Sequence, residues 1–89
     1  MANLYLIGST AGRNGLELAK EDSDARVVLI QDGVYLDASF VAQSGRKVYA
    51  LQKDVEKRGL TSRVPAAVEL IDYGELVDLM FENKIINFA

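Results

Sequence analysis

The chain has 89 residues, the size of one folding unit, so we expect a single domain over residues 1–89. Hydrophobic residues make up 49%, charged residues 26% and the net charge is −3, a composition that excludes disorder, collagen and low complexity. There is no Cys and no His, which excludes a disulfide, a thiolate nucleophile, a triad hydrolase and the usual zinc sites. We therefore expect no metal, no cofactor and no catalysis by this chain alone.

The first third of the chain predicts two strands joined by a glycine-rich loop and a helix. Residues 4–7 form a short apolar run typical of a buried strand. Residues 8–15 have the composition of a loop, and a helix is expected to begin within it and to end near Glu21. Residues 27–30 are all apolar without alternation, which predicts a strand covered on both faces of a parallel sheet.

The middle of the chain predicts helix, strand and helix. Residues 34–42 are expected to form a helix, and those on its inner side are Leu36, Phe40 and Val41. Residues 48–51 predict the third strand. Residues 53–58 predict a short helix, because Gly59 followed by apolar Leu60 is the pattern of a Schellman cap.

The last third contains the best-defined helix start. After a strand at residues 68–71, Asp72 can cap a helix while Glu75 reaches back to complete a capping box, with Ile71 and Leu76 as a hydrophobic staple. The expected outer face holds Glu75, Asp78 and Glu82, which we interpret as a solvated face rather than a metal site; the inner face holds Leu76, Val77 and Met80.

A final strand at residues 84–88 completes an alternation of five strands and four helices. This alternation predicts a three-layer α/β/α sandwich around a mostly parallel five-stranded sheet with right-handed crossovers. The apolar runs are too short for a membrane span and no signal segment is visible, so we expect a cytoplasmic protein that does not enter a membrane.

Ligands of parallel sheets lie beyond the carboxyl ends of the strands, which directs attention to the loops at residues 8–15, 31–35 and 51–54. The glycine-rich first loop matches neither G-x-G-x-x-G nor the Walker pattern, so an ordinary turn is favoured over a phosphate site. Residues 46–63 are rich in basic side chains, which indicates either a solvated surface, the favoured interpretation, or contact with an acidic partner.

The second loop places a polar pair directly after the most buried strand. The binding or interface candidates are Gln31, Asp32, Gly33 and Tyr35. Asp-Gly is a common turn signal, and Asp32 is expected to cap the following helix. The alternative is that Asp32 and Tyr35 line a small pocket or a subunit contact; a catalytic role for either ranks last, since nothing near them suggests a tuned pKa.

The chain resembles the DsrH/TusB family of sulfur-relay proteins along nearly its whole length. The segments that carry the resemblance are Leu4-Tyr5-Leu6-Ile7-Gly8, Leu29-Ile30-Gln31-Asp32-Gly33-Val34-Tyr35, Val48-Tyr49-Ala50-Leu51 with Asp54, Arg58-Gly59-Leu60, and Ile71-Asp72-Tyr73 with Leu76-Val77. The resemblance implies the DsrE/F/H fold, an α/β/α sandwich around five parallel strands.

The resemblance also implies partners. Family members assemble with DsrE/TusD-like and DsrF/TusC-like paralogues into a hetero-hexamer that passes a cysteine persulfide, either toward 2-thiolation of the tRNA wobble uridine or within sulfur oxidation. Members from sulfur oxidisers carry a Cys on the first helix, where this chain has residues 16–20 without one.

The expected role follows from that difference. The chain is predicted to be a non-catalytic subunit that meets tRNA only indirectly and supports a Cys-bearing partner, with Asp32, Gly33 and Tyr35 as turn and interface residues. The alternative is a stand-alone homo-oligomer that binds a small anionic or nucleotide ligand between residues 8–15 and Asp32.

Overall fold

A parallel sheet of five strands forms the centre of the protein, whose computed structural model describes residues 2–88. The strands are β1 Asn3–Ile7, β2 Ala25–Leu29, β3 Lys47–Leu51, β4 Val68–Ile71 and β5 Lys84–Phe88. Their order is β4-β3-β2-β1-β5, with every neighbouring pair parallel. The predicted α/β class and parallel sheet are confirmed.

The helices divide unequally between the two faces of the sheet. They are α1 Arg13–Glu21, α2 Ser39–Gln43, α3 Gln52–Lys57 and α4 Tyr73–Glu82. The first three pack through Leu16, Val41 and Val55 into one core with β1, β2 and β3. On the opposite face, α4 alone supplies the helical residues of a second core, Leu76 and Leu79. The second face is therefore covered by a single helix.

The apolar pattern of the strands explains this layering. In β2, Val27 belongs to the first core and Val28 to the second, and both are fully buried. Successive side chains of a strand point to opposite faces, so a strand without polar alternation needs cover on both. The expectation for this strand is confirmed.

The predicted helix at residues 34–42 is wrong. A 3₁₀ turn, Gln31–Tyr35, ends at Leu36, whose backbone is extended, and α2 begins only at Ser39. The carboxylate of Asp37 starts α2, because it accepts hydrogen bonds from the Ser39 backbone N–H at 2.9 Å and from the Ser39 hydroxyl at 2.5 Å. These bonds lower the pKa of Asp37, and the bond from the Ser39 hydroxyl has the largest effect.

The apolar side chains assigned to that helix still reach one core, although Leu36 lies between the turn and α2 and only Phe40 and Val41 lie on the helix. Val41 is fully buried, and Leu36 and Phe40 pack against the same cluster. The periodic spacing of these residues therefore indicated burial correctly, but a turn and a shorter helix achieve it.

The predicted ends of α3 and α4 are confirmed. Gly59 has a φ of +64°, and the Leu60 N–H donates to the Val55 carbonyl at 3.0 Å, as in a Schellman cap. At the start of α4, the Glu75 N–H donates to Asp72 Oδ1 at 2.8 Å and the Asp72 N–H donates to Glu75 Oε1 at 3.4 Å.

The predicted inner face of α4 needs correction. Leu76 is buried as expected, but its companion is Leu79, whereas Val77 is 47% exposed and Met80 37% exposed. The predicted outer face, Glu75, Asp78 and Glu82, is exposed. Relative to the prediction, α4 is rotated about its own axis, so that Leu79 faces the sheet and Val77 and Met80 do not. No helix within residues 2–88 is both long enough and apolar enough to cross a membrane.

Candidate functional site

Two of the three predicted loops meet beyond the carboxyl ends of β2 and β3. The turn Gln31–Tyr35 follows β2, and α3 follows β3. The backbone N–H of Gln31 donates a 2.7 Å hydrogen bond to Oδ2 of Asp54, a carboxylate that is buried on the first turn of α3. The two loops are thereby joined at the edge where ligands of parallel sheets bind.

The backbone of this turn has an unusual shape for which two residues are responsible. Gln31 has a φ of +49°, in the left-handed region that side chains other than glycine seldom adopt. Gly33 lies against β1, and a Cβ atom placed on it would come within 2.1 Å of the Ile7 carbonyl oxygen. The same carbonyl accepts a hydrogen bond of 2.9 Å from the N–H of Ile30. The turn is therefore held against β1 as well as α3.

Arg58 connects the turn to α3 through three different partners. Its Nε and Nη2 each lie 3.0 Å from Oδ1 of Asp32, and its Nη1 donates to the Asp54 carbonyl at 3.2 Å. The guanidinium carbon lies 6.0 Å from the centroid of the Tyr35 ring, within reach of a cation–π interaction. Asp32 therefore caps no helix, and that prediction is wrong: its side chain is an ion-pair partner instead.

A shallow cavity of about 340 Å³ opens beside this contact. Its polar lining includes Gln31, Asp54, Lys57 and Arg58, and its far side is formed by Tyr73 at the start of α4. The charges of two carboxylates, Asp32 and Asp54, balance those of two cations, Lys57 and Arg58. The sequence contains no thiol and no imidazole. The arrangement can bind a polar group or a neighbouring chain.

The glycine-rich first loop is explained by packing. A Cβ atom on Gly12 would lie 2.7 Å from a methyl carbon of Ile7, and one on Gly15 would lie 2.8 Å from the Phe88 ring. Glycine at both positions lets the start of α1 approach β1 and β5. Gly33 of the turn Gln31–Tyr35 lies against Ile7, the last residue of β1 before this loop, and the side chain of Asp32 is paired with Arg58.

The basic segment at residues 46–63 divides into two kinds of side chain. Arg46 donates to the backbone carbonyls of Lys20, Asp22 and Ser44, at 2.7 to 2.9 Å, and so satisfies carbonyls at the end of α1. Arg58 is engaged in the candidate site. The remaining four basic side chains are exposed, and they are Lys47, Lys53, Lys57 and Arg63. Two arginines of the segment thus have structural contacts, and its other four basic side chains are free to face solvent.

A second polar cluster, around Asp22, lies at the opposite end of the central strands, where β1 and β2 begin. Its carboxylate accepts hydrogen bonds from Asn3 Nδ2 at 2.8 Å, the Asp24 N–H at 2.9 Å and the Tyr5 hydroxyl at 3.0 Å. These hydrogen bonds hold the pKa of Asp22 below its ordinary value, and the bond from Asn3 has the largest effect. Burial and then the bond to Asp22 raise the pKa of Tyr5.

Comparison with known proteins identifies the family. Residues 13–85 match the family model described as DsrH like protein. The chain belongs to the DsrH family. It is 39% identical over 65 residues to Protein TusB of Photorhabdus laumondii, with 64% of this chain and 66% of that protein covered. It is 36% identical over 74 residues to Protein TusB of Cronobacter sakazakii, with 76% of each covered.

Solved structures show the same fold for this DsrH family member. The E. coli ychN protein matches 99% of this chain with a TM-score of 0.73 and 19% identity, and the whole of that chain is covered. A conserved protein of unknown function from Bacteroides thetaiotaomicron matches 96% of this chain and 93% of its own with a TM-score of 0.69 and 18% identity. DsrH membership confirms the resemblance recognised in the sequence and, in general terms, a place among sulfur-relay subunits.

Sequence reasoning assigned no role to two residues that organise the site in this DsrH family member. Asp54 falls in the predicted loop at residues 51–54 and Arg58 in the basic segment, but neither is among the predicted binding or interface residues, although Asp54 is buried and Arg58 binds the turn. A signal for them exists, since an acid and a base four residues apart share one face of α3, and their side chains lie 3.6 Å apart. The candidates Gln31, Asp32, Gly33 and Tyr35 do lie in one turn.

Proposed function

We propose that this chain is a non-catalytic subunit of a sulfur-relay complex in which a different subunit carries the persulfide. The observation that carries the proposal is that a DsrH family chain contains no Cys at all. A persulfide needs a thiol, so sulfur has to be held by DsrE/TusD-like or DsrF/TusC-like partners. The turn Gln31–Tyr35 is held by Asp54 and by the close fit of Gly33 against β1, which supports a contact surface rather than a reacting group.

The proposal assigns the complex to 2-thiolation of the tRNA wobble uridine, and hence to the cytoplasm. Two observations support this branch over sulfur oxidation. The relatives described above are named Protein TusB, and α1 carries no Cys. Contact with tRNA is then indirect, through the partner subunits.

In this proposal the turn Gln31–Tyr35 is a contact surface for a neighbouring subunit. Tyr35 is 55% exposed and Asp32 projects its carboxylate toward solvent, while Gly33 holds the backbone against β1. A turn tied to both β1 and α3 loses little freedom when a partner binds, which favours a stable contact.

Co-expression with the neighbouring reading frames tests the proposal. We expect this chain to be recovered in a hetero-oligomer with two paralogues, two copies of each, at least one of them containing a Cys. A strain that lacks the chain should lose 2-thiouridine from its tRNA, measured by mass spectrometry of digested nucleosides, and a plasmid copy should restore it. Recovery of the chain only as a free protein, or unchanged 2-thiouridine in the deletion strain, would contradict the proposal.

The second function expected from the sequence, a stand-alone homo-oligomer that binds a small ligand, stays a prediction. The glycines of the first loop are explained by contacts with Ile7 and Phe88, so no observation favours it. Melting curves of the isolated protein with nucleotides and sulfur oxyanions test it, since a bound ligand raises the melting temperature.

A further inference from the structure

The sheet face that carries α4 has an exposed apolar surface. We call this surface the apolar flank, and it consists of Tyr73, Val77, Met80 and Phe81 of α4 together with Ile85 of β5. These side chains are 37% to 85% exposed, with Phe81 the most exposed large hydrophobic residue among residues 2–88. Contiguous exposed apolar surface is typical of a protein contact.

The position of the apolar flank follows from the strand register. Ile85 pairs with Leu4, so both lie on the sheet face that carries α4, and β5 is the edge strand of that face. Tyr73, at the other end of α4, also lines the cavity beside Gln31. The apolar flank therefore runs from the candidate site along α4 to β5.

The other side of α4 is acidic. We call it the acidic flank, and it consists of Glu75, Asp78 and Glu82. It faces Tyr49 of β3 and Glu69 of β4 across a shallow groove, which adds a fourth carboxylate. Helix α4 carries no Lys or Arg, and no ion pair involves these four carboxylates within residues 2–88. Asp78 is three residues from Phe81 on the helix, so a partner that covers Phe81 also meets the acidic flank.

The charge distribution decides between a second copy and a different chain. In a two-fold contact of α4 against α4, the acidic flank of one copy meets either the acidic flank or the apolar flank of the other. The first arrangement places like charges together, and the second buries carboxylates against apolar side chains, so both are unfavourable. A complementary partner needs an apolar centre and a basic rim on the side of the acidic flank.

We propose that the apolar flank is the docking surface for a non-identical subunit whose contact face has an apolar centre and a basic rim. The inference rests on the proposed function, since that partner is a subunit of the same sulfur-relay complex. It assigns Phe81 as the central anchor, because a large aromatic side chain that becomes buried contributes most at an interface. The contact of the turn Gln31–Tyr35 is then an extension of this surface across Tyr73.

The test compares two single substitutions in the complete complex. Phe81→Lys changes a side chain that is 85% exposed, so the isolated chain should keep its fold, whereas its affinity for the partner should fall by about 30-fold or more. Leu18→Lys is the matched control, because Leu18 is 55% exposed on α1, which packs on the other face. Circular dichroism checks that both variants fold, and calorimetry or biolayer interferometry measures the affinity.

A second variant tests the basic rim without touching the apolar side chains. Asp78→Lys with Glu82→Lys should weaken association about tenfold at low salt, and the difference from the natural chain should shrink as salt increases. If this variant binds with unchanged affinity, the partner has no basic rim facing the acidic flank, and that part of the proposal is wrong.

The remaining outcomes separate the docking surface from the function. If the natural chain binds its partners and Phe81→Lys binds as tightly, the docking surface is wrong while the proposed function stands. If Leu18→Lys weakens binding equally, the loss is not specific to the apolar flank and the docking surface is wrong. If the isolated chain is a homodimer that Phe81→Lys dissociates, the assigned occupant is wrong. If the natural chain binds no paralogue, the proposed function fails and this inference fails with it.

Discussion

The buried carboxylate of Asp54 accepts a 2.7 Å hydrogen bond from the backbone N–H of Gln31, 23 residues earlier in the chain. This bond joins the turn after β2 to the helix after β3, and it holds Gln31 in a left-handed conformation. A backbone donor at this position would otherwise lie beside a cavity without a protein partner. The shape of the candidate site therefore depends on one side chain from a neighbouring element.

Substitution of Asp54 by Ala should destabilise the protein. Asp54 is 6% exposed, and its removal leaves the Gln31 N–H without its acceptor and Arg58 without one of its partners. We expect the free energy of unfolding to fall by about 2–3 kcal/mol. Urea denaturation measures it, and Asp78→Ala, an exposed carboxylate on α4, should stay within about 0.5 kcal/mol of the natural protein.

Substitution of Gly33 by Ala should be costly although it adds one methyl group. The new Cβ would lie 2.1 Å from the Ile7 carbonyl oxygen, and backbone on both sides would have to move. We expect a loss of about 2–3 kcal/mol. Gly74→Ala is the control, because its Cβ meets only Asp72 Oδ1 at 3.4 Å, and alanine in a helix should raise stability by about 0.5–1 kcal/mol. Equal effects of the two substitutions would contradict the close contact of Gly33 with β1.

The cluster at Asp22 predicts a pH dependence of stability. The pKa of Asp22 lies below its ordinary value of 3.8, chiefly because Asn3 and the Asp24 N–H donate to its carboxylate. A carboxyl group with a lowered pKa in the folded state stabilises the protein above its unfolded pKa, and the stabilisation is lost as pH falls through the folded pKa.

Asp22→Asn should therefore reduce the free energy of unfolding by about 1–2 kcal/mol at neutral pH. The difference from the natural protein should stay constant down to about pH 5 and shrink below about pH 4. Urea denaturation at a series of pH values, from neutral to below about pH 4, measures this difference. A difference that grows as the solution becomes more acidic would show that the Asp22 carboxylate is not stabilised by its donors.

The ion pair of Arg58 with Asp32 should couple only weakly. The Asp32 side chain is 64% exposed, so solvent screens the interaction, and a double-mutant cycle with Arg58→Ala and Asp32→Ala should give a coupling energy of about 0.3–1 kcal/mol. Arg58→Ala alone should cost more than Asp32→Ala, because Arg58 also contacts the Asp54 carbonyl and the Tyr35 ring. Hydrogen exchange of the turn Gln31–Tyr35 should accelerate more in Arg58→Ala; equal exchange in both variants would contradict the additional role of Arg58.

Local patterns predicted the elements correctly where the signal lies within a few residues. The capping box of Asp72 with Glu75 and the cap at Gly59 involve neighbours along the chain, and both helix ends are observed as expected. The helix predicted at residues 34–42 failed at its first residues because the turn Gln31–Tyr35 is held by the fit of Gly33 against Ile7, which lies on another strand. The start of α2 has a local signal, the bonds of Ser39 to Asp37, which the prediction missed.

The class of the protein follows from local sequence patterns: alternating apolar runs and helix caps specify a parallel α/β sandwich, and a chain without Cys has no thiol to hold a persulfide. The construction of the candidate site and the exposed side of α4 depend instead on contacts between elements far apart in the chain. Asp32 meets Arg58 across 26 residues, and Leu79 rather than Met80 reaches the sheet. Such contacts depend on strand order and helix rotation, which are set by packing of the whole core rather than by the spacing of residues within one element.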